Sequence, residues 1–190
     1  MPSVNKKTTG KRPARHFGLS ALEVLIFLAA IAIVVLISVP GSTLLLEKYR
    51  LKTTQNSLID TLELAREEAH ARNSTVVVCP SSNGNSCRRD NDWNFGWVVF
   101  SDGNGNGTVQ DIELIKSFEA PPDRIKIEAE GATQSRAAFT TTGLLSHGDS
   151  LTGRFRICMN DSAAEPRVLE VRTDGWVQMV APDNQSCGNG

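Results

Sequence analysis

From Leu19 to Val39 the chain is apolar at every position except Ser20, Glu23 and Ser38. As a helix rising about 1.5 Å per residue, this run covers roughly 31 Å, the thickness of a bilayer's hydrocarbon core. Pro40 and Gly41 follow, and proline's missing donor and ring clash predict a bend there. The pattern then changes to one-sided. Leu51, Gln55, Leu58, Leu62, Ala65 and Ala69 recur at spacings of four and three, an apolar stripe broken only by Gln55, and Asn73 is a plausible stop. From Thr75 the segments TVVVC, GWVVF, IELIKSF, RIKIEA, AAFT, RFRICM, RVLEV and WVQMV are short and β-branched, with Gly, Asn, Asp or Pro between them. One long helix followed by a run of strands predicts an α+β chain with a mostly antiparallel sheet arrangement, in one sheet or two. The segments are thus 1–18, an apolar helix at 19–39, its continuation at 40–73, and a β-rich domain at 74–190.

Residues 1–18 hold Lys6, Lys7, Lys11, Arg12 and Arg15 and no acidic residue. A basic flank of this kind stays cytoplasmic, so Leu19–Val39 reads as a single membrane span and the rest of the chain as exported. A cleaved secretory signal fits less well, since its apolar region is usually about 7 to 15 residues long and ends at a small-residue cleavage site. Glu23 stands out in such a span, because an ionised carboxylate there costs on the order of 3 kcal/mol even on lenient insertion scales. It needs a partner or a role.

The stretch GLSALEVLIFLAAIAIVVLISVPG, from Gly18 to Gly41, resembles the processing signal of type IV pilins and type II secretion pseudopilins. The resemblance implies cleavage between Gly18 and Leu19 by a prepilin peptidase and N-methylation of Leu19, a position where the family most often has Phe. It also makes Glu23 the fifth mature residue, which answers the α-amine of a neighbouring subunit during filament assembly. An amine and a carboxylate that are each costly in lipid become tolerable as a pair. A second stretch, LELAREEAHARNSTVVVCPS followed by WNFGWVVFSDGNGNGTVQDIELIKSF, is similar to the FimT/GspH group of minor pilins and pseudopilins. The likeness covers residues 18 to 118 and loosens beyond Phe118. It implies a pilin-like fold, the other minor and major pilins or pseudopilins as partners, residence in the bacterial inner membrane with a periplasmic domain, and later assembly into a pilus or pseudopilus.

Charge and cysteine content refine this picture. The net charge is −1, and loss of the five basic leader residues leaves 15 Lys and Arg against 21 Asp and Glu, a net of −6. An acidic chain does not favour non-specific nucleic-acid binding. Cys79, Cys87, Cys158 and Cys187 all lie in the exported part, where thiols oxidise, and four cysteines allow three pairings. Pairing Cys79 with Cys87 closes a short polar loop, and pairing Cys158 with Cys187 ties the tail to a strand. Zinc is disfavoured because no CxxC pair is present.

Two motifs carry candidate ligand chemistry. Asp102, Asn104, Asn106, Gly107 and Glu113 satisfy the EF-hand loop pattern and supply oxygen ligands for calcium. An EF-hand loop joins helices, whereas this one joins two strand-like segments and contains Asn-Gly turns, so it reads as a hairpin with no cofactor required. The second motif is GRFR, Gly153 to Arg156, which matches the Gly-Arg-x-Arg text of DNA-uptake pilins. Arg154 and Arg156 share one strand face, and Arg167 or Arg172 could extend a basic strip toward DNA phosphates. In that family the motif follows the final strand pair, where this chain has RTDGWVQMV, with Trp176 and Gln178 at the arginine positions. DNA binding is therefore the alternative, and a structural subunit the main expectation.

His70 and His147 lie near no nucleophile elbow or zinc signature, and His16 lies in the leader. The chain reads as the substrate of a peptidase and a methylase, with no catalysis of its own.

Overall fold

The computed structural model describes residues 20–146, 151–160, 162 and 164–182, leaving aside the side chains of 35–44. The chain divides into two units, Met1–Ser42 and Thr43–Gly190, and the helix α1 (Ala21–Arg72) has residues in both. Its backbone stays helical through Pro40 and Gly41, so the helix does not end there: proline removes one donor, and pairing continues on either side. Among the described residues no helix is long and apolar enough to cross a membrane; the described side chains of the apolar run stop at Val34, short of Val39.

α1 ends where Asn73 was expected to stop it. Asn73 takes a left-handed conformation with φ 48°, its N–H bonds the His70 carbonyl, and the Ser74 N–H reaches back to Ala69. This double closure satisfies carbonyls the last turn would leave open, and asparagine tolerates the backbone better than most residues.

The second unit contains two sheets, which decides the question left open by the sequence. Strands β1 (Val76–Pro80), β2 (Trp97–Ser101), β3 (Leu114–Phe118), β4 (Ile125–Gly131), β5 (Ala137–Phe139), β6 (Leu145–Ser146), β7 (Gly153–Met159), β8 (Arg167–Val171) and β9 (Val177–Val180) follow α1. One sheet has the order β3-β2-β1-β5-β6 and the other β4-β7-β8-β9, with antiparallel pairing throughout. All eight expected strands are present. The two-residue β6 and a short 3-10 turn at Trp93–Phe95 are additions too brief to leave a periodic signal.

The helical stripe forms the centre of the core. Leu51, Leu58, Leu62, Ala65 and Ala69 are buried in one cluster with Val76, Val78, Trp97 and Val99 of the first sheet and Ile127, Phe155, Ile157 and Leu169 of the second. Gln55 is buried too, at 3% exposure, where its side-chain oxygen accepts from Arg167. The Trp97 indole N–H donates to the Thr61 hydroxyl at 3.0 Å, so this large buried ring has no unsatisfied donor. Trp93 meets Phe155 edge-on at 4.9 Å between ring centroids and donates to the Gln134 carbonyl.

Leu58 and Leu62 are wholly buried while Asn56 is exposed on the same helix. Leu58→Ala and Leu62→Ala should each cost about 2–5 kcal/mol in urea unfolding of residues 43–190. Asn56→Ala should stay within about 0.5 kcal/mol.

Candidate functional site

The N-terminal end of α1 carries the residue singled out for assembly. Gly18 and Leu19, the expected processing site, lie outside the described residues. Ser20 caps the helix: its hydroxyl accepts from the Leu22 N–H, and its carbonyl accepts from the N–H groups of Glu23 and Val24. Glu23 therefore sits in the first turn, exposed, where the helix dipole favours a negative charge. Around it, Leu22, Leu25, Ile26, Phe27, Leu28, Ile31, Ile33 and Val34 are each more than half exposed. A helix apolar around its whole circumference is suited to apolar surroundings on all sides, either lipid or other helices.

The GRFR motif lies on β7, an inner strand of the four-stranded sheet, and two further strands follow it. Arg154 and Arg156 share one face, as strand alternation requires. That face is matched by carboxylates on the neighbouring strands. Arg156 lies opposite Glu128 in register, is only 3% exposed, and pairs with Glu130 at 3.0 Å and Glu128 at 3.7 Å. Arg154 lies between Glu130 and Glu170 in register and pairs with Glu170 at 3.4 Å. Arg167 donates to Gln55 at 3.2 Å, and Arg172 pairs with Asp174 at 3.3 Å. All four arginines thus have acceptors within the domain. The glycine of the motif has a packing reason as well, since a Cβ on Gly153 would fall 2.1 Å from a Thr133 methyl carbon. Sequence reasoning missed these glutamates, although the alternation IKIEAE in β4 already placed Lys126, Glu128 and Glu130 on one face.

The loop from Asp102 to Glu113 joins β2 to β3, an antiparallel pair in register from Trp97 opposite Phe118, which is the hairpin arrangement expected. Its polar side chains fold back on the loop itself. The Asp102 carboxylate accepts from the Gly107 N–H, the Asn104 oxygen from the Asn106 N–H, and the Asn106 oxygen from the Thr108 N–H at 2.8 Å. The Asn104 amide donates to Glu113 at 3.0 Å. Among the described residues no group of three or more His, Cys, Asp or Glu is placed to hold a metal ion. The loop helps cover the outer face of the five-stranded sheet, where Val77, Cys79, Val98 and Phe100 form a second buried cluster with Val109 and Leu114 packed on it.

Cys79 and Cys87 are joined by a disulfide across a separation of 8 residues, as expected. Cys158 is also disulfide-bonded, and Cys187, the partner expected for it, lies outside the described residues. Within the region that follows the first bridge, the Arg88 guanidinium donates to Asp90 at 2.9 Å and holds that carboxyl below its ordinary pKa.

A long helix leading into two antiparallel sheets defines an α+β protein of the pilin-like class. A family model described as Type II transport protein GspH matches residues 54–175, and the chain belongs to that family. This agrees with the resemblance drawn from residues 18 to 118. Among solved structures, the chain is similar to the type IV minor pilin FimU of Pseudomonas aeruginosa, with TM-score 0.55 and 19% identity over 75% of this chain and 98% of that one. It is also similar to the minor pseudopilin EpsH from the Type 2 Secretion System of Vibrio cholerae, with TM-score 0.51 and 12% identity over 70% of this chain and 98% of that one. At these identities the likeness is one of fold. No curated protein matches the chain.

Two stability differences test this placement. Arg156→Ala removes a buried, doubly paired guanidinium and should cost about 2 kcal/mol, whereas Arg154→Ala, at 39% side-chain exposure, should cost less than about 1 kcal/mol. Cys79→Ser with Cys87→Ser should lower stability by about 2.5 kcal/mol, the loop-entropy value for this separation, read as a shifted urea midpoint.

Proposed function

We propose that this chain is a structural minor subunit of a type IV pilus or type II secretion pseudopilus. It is held in the bacterial inner membrane by Leu19–Val39, with its N-terminus in the cytoplasm and its sheets in the periplasm. A prepilin peptidase cuts between Gly18 and Leu19 and Leu19 is N-methylated; the apolar helix then leaves the lipid to become part of the filament, near its tip. The partners are other minor and major pilins or pseudopilins, and the subunit performs no chemistry itself. The observation that carries this reading is the position of Glu23, a lone carboxylate in the first turn of a helix whose large side chains out to Val34 are apolar and exposed. Such a charge entering an apolar filament core is stabilised by the α-amine of an adjacent subunit, and the demand for that partner sets the register between them.

The Gly-Arg-x-Arg text raised DNA as an alternative partner. Phosphate contact needs guanidinium groups open to the ligand, and Arg156 is buried between two glutamates, so the structural role is favoured. Deleting the gene separates the two machines: loss of twitching or DNA uptake assigns the chain to a pilus, and loss of exoprotein secretion to a pseudopilus.

Glu23→Ala tests assembly. The variant should be cleaved normally and stay in the inner membrane, but its amount in sheared filaments should fall roughly tenfold or more, since an unpaired buried charge costs about 3 kcal/mol or more. Undiminished incorporation would remove the basis of the reading.

A further inference from the structure

The two described methionines of the second unit have opposite surroundings. Met159 is 6% exposed and lies in the core cluster, whereas Met179 on β9 is 66% exposed. Met179 lines a groove of about 450 Å³ together with Lys48, Leu51, Gln55, Arg167 and Val180. Across this groove it meets α1, where the Gln55 amide nitrogen lies 2.7 Å from the Met179 sulfur. Gln55 is itself buried, and Arg167 fixes which way its amide points. The Arg167 guanidinium donates to Gln55 Oε1 at 3.2 Å, and a guanidinium accepts nothing, so a flipped amide would set donor against donor. The NH2 end therefore faces sulfur.

That pairing leaves the amide poorly satisfied. A thioether is a weak acceptor, and among the described residues it is the acceptor that the Gln55 amide N–H groups have. A donor buried against a poor acceptor keeps part of its desolvation cost. One added oxygen on sulfur would remove that deficit, because a sulfoxide oxygen is a strong acceptor. The position also matters for the sheet, since β9 is an edge strand with β8 as its strand neighbour, and edges are where a sheet opens first.

We propose that Met179 is a site of oxidation to the sulfoxide, and that the new oxygen is received by the Gln55 amide, so that oxidation clasps β9 to α1. The oxidant is a two-electron oxygen donor such as hydrogen peroxide. The sulfur lone pair attacks one peroxide oxygen, the O–O bond breaks as the S–O bond forms, and the other oxygen leaves as water with both peroxide protons. Sulfur loses two electrons and the peroxide gains them. Among the described residues no cysteine is free to compete for the oxidant. Gln55 covers one side of the sulfur, so oxygen adds from the solvent side, and rotation within the unbranched side chain then turns it onto the amide. Sulfoxide formation ordinarily loosens packing by making an apolar side chain polar. Here the side chain is already exposed and the polar oxygen gains a waiting donor, so the sign reverses. The site lies wholly in the second unit and does not depend on the filament reading.

The test treats the full chain in detergent micelles with hydrogen peroxide and reads two quantities by peptide mass. The first is the rate of oxygen addition, which should be roughly tenfold or more faster at Met179 than at Met159. The second is amide hydrogen exchange across β9, which should slow several-fold once Met179 is oxidised. Gln55→Leu removes the donor, so in that variant oxidation should leave β9 exchange unchanged or faster. A pair of variants reads the same contact without oxidant and without disturbing Gln55. Met179→Gln carries a carbonyl oxygen on the atom that replaces sulfur and should exchange more slowly across β9 than Met179→Leu. Oxidation of Met159 at the rate of Met179, unchanged or faster β9 exchange in the oxidised natural chain, equal slowing in Gln55→Leu, or equal exchange in Met179→Gln and Met179→Leu would each overturn the proposal.

Discussion

Burial of a single helical stripe holds the second unit together. Leu51, Leu58, Leu62, Ala65 and Ala69 offer one long apolar stripe, and both sheets place inner residues in the same cluster with it. Neither sheet could do without it, because a four- or five-stranded antiparallel sheet with one apolar face needs a covering layer. Two of the polar groups that this close approach buries are satisfied in place, since Thr61 receives the Trp97 indole and donates to the Ser57 carbonyl and the Gln55 side-chain oxygen accepts from Arg167, whereas the buried Thr54 hydroxyl has no hydrogen-bond partner among the described residues. Close packing also explains Gly96, whose added Cβ would lie 2.4 Å from the Phe118 carbonyl oxygen, and so why a glycine opens the strand that Trp97 begins.

The fold was legible where a periodic signal was long. The stripe from Leu51 to Ala69, the stop at Asn73 and all eight longer strands follow from spacing, propensity and turn residues. Pairing between distant segments was not legible. Whether β4 joins β3 or β7 depends on long-range register, which no local pattern carries, so the number of sheets stayed open. The two-residue β6 and the Trp93–Phe95 turn are fixed by tertiary contacts and by the Asp92 cap on Asn94.

The candidate sites show the same division. Strand alternation placed Arg154 and Arg156 on one face of β7, but their meaning depended on which strands flank it, and those bring Glu128, Glu130 and Glu170 alongside. A motif that reads as a phosphate grip in text is, in this sheet, part of a cross-strand charge ladder. The EF-hand text in Asp102–Glu113 likewise becomes a hairpin in which the oxygens of Asp102, Asn104 and Asn106 are taken up by its own backbone N–H groups. By contrast, Glu23 needed no tertiary context. A carboxylate in an apolar helical turn is anomalous on transfer energy alone, and the anomaly points to a partner.

The central claim is that this helix begins in the membrane and ends in a filament. The most direct measurement is the mass of the chain's N-terminal peptide recovered from sheared filaments. The account predicts a peptide that begins at Leu19 and carries one added methyl group. A peptide that begins upstream of Gly18, or absence of the chain from the filament fraction while it persists in the membrane, would contradict it.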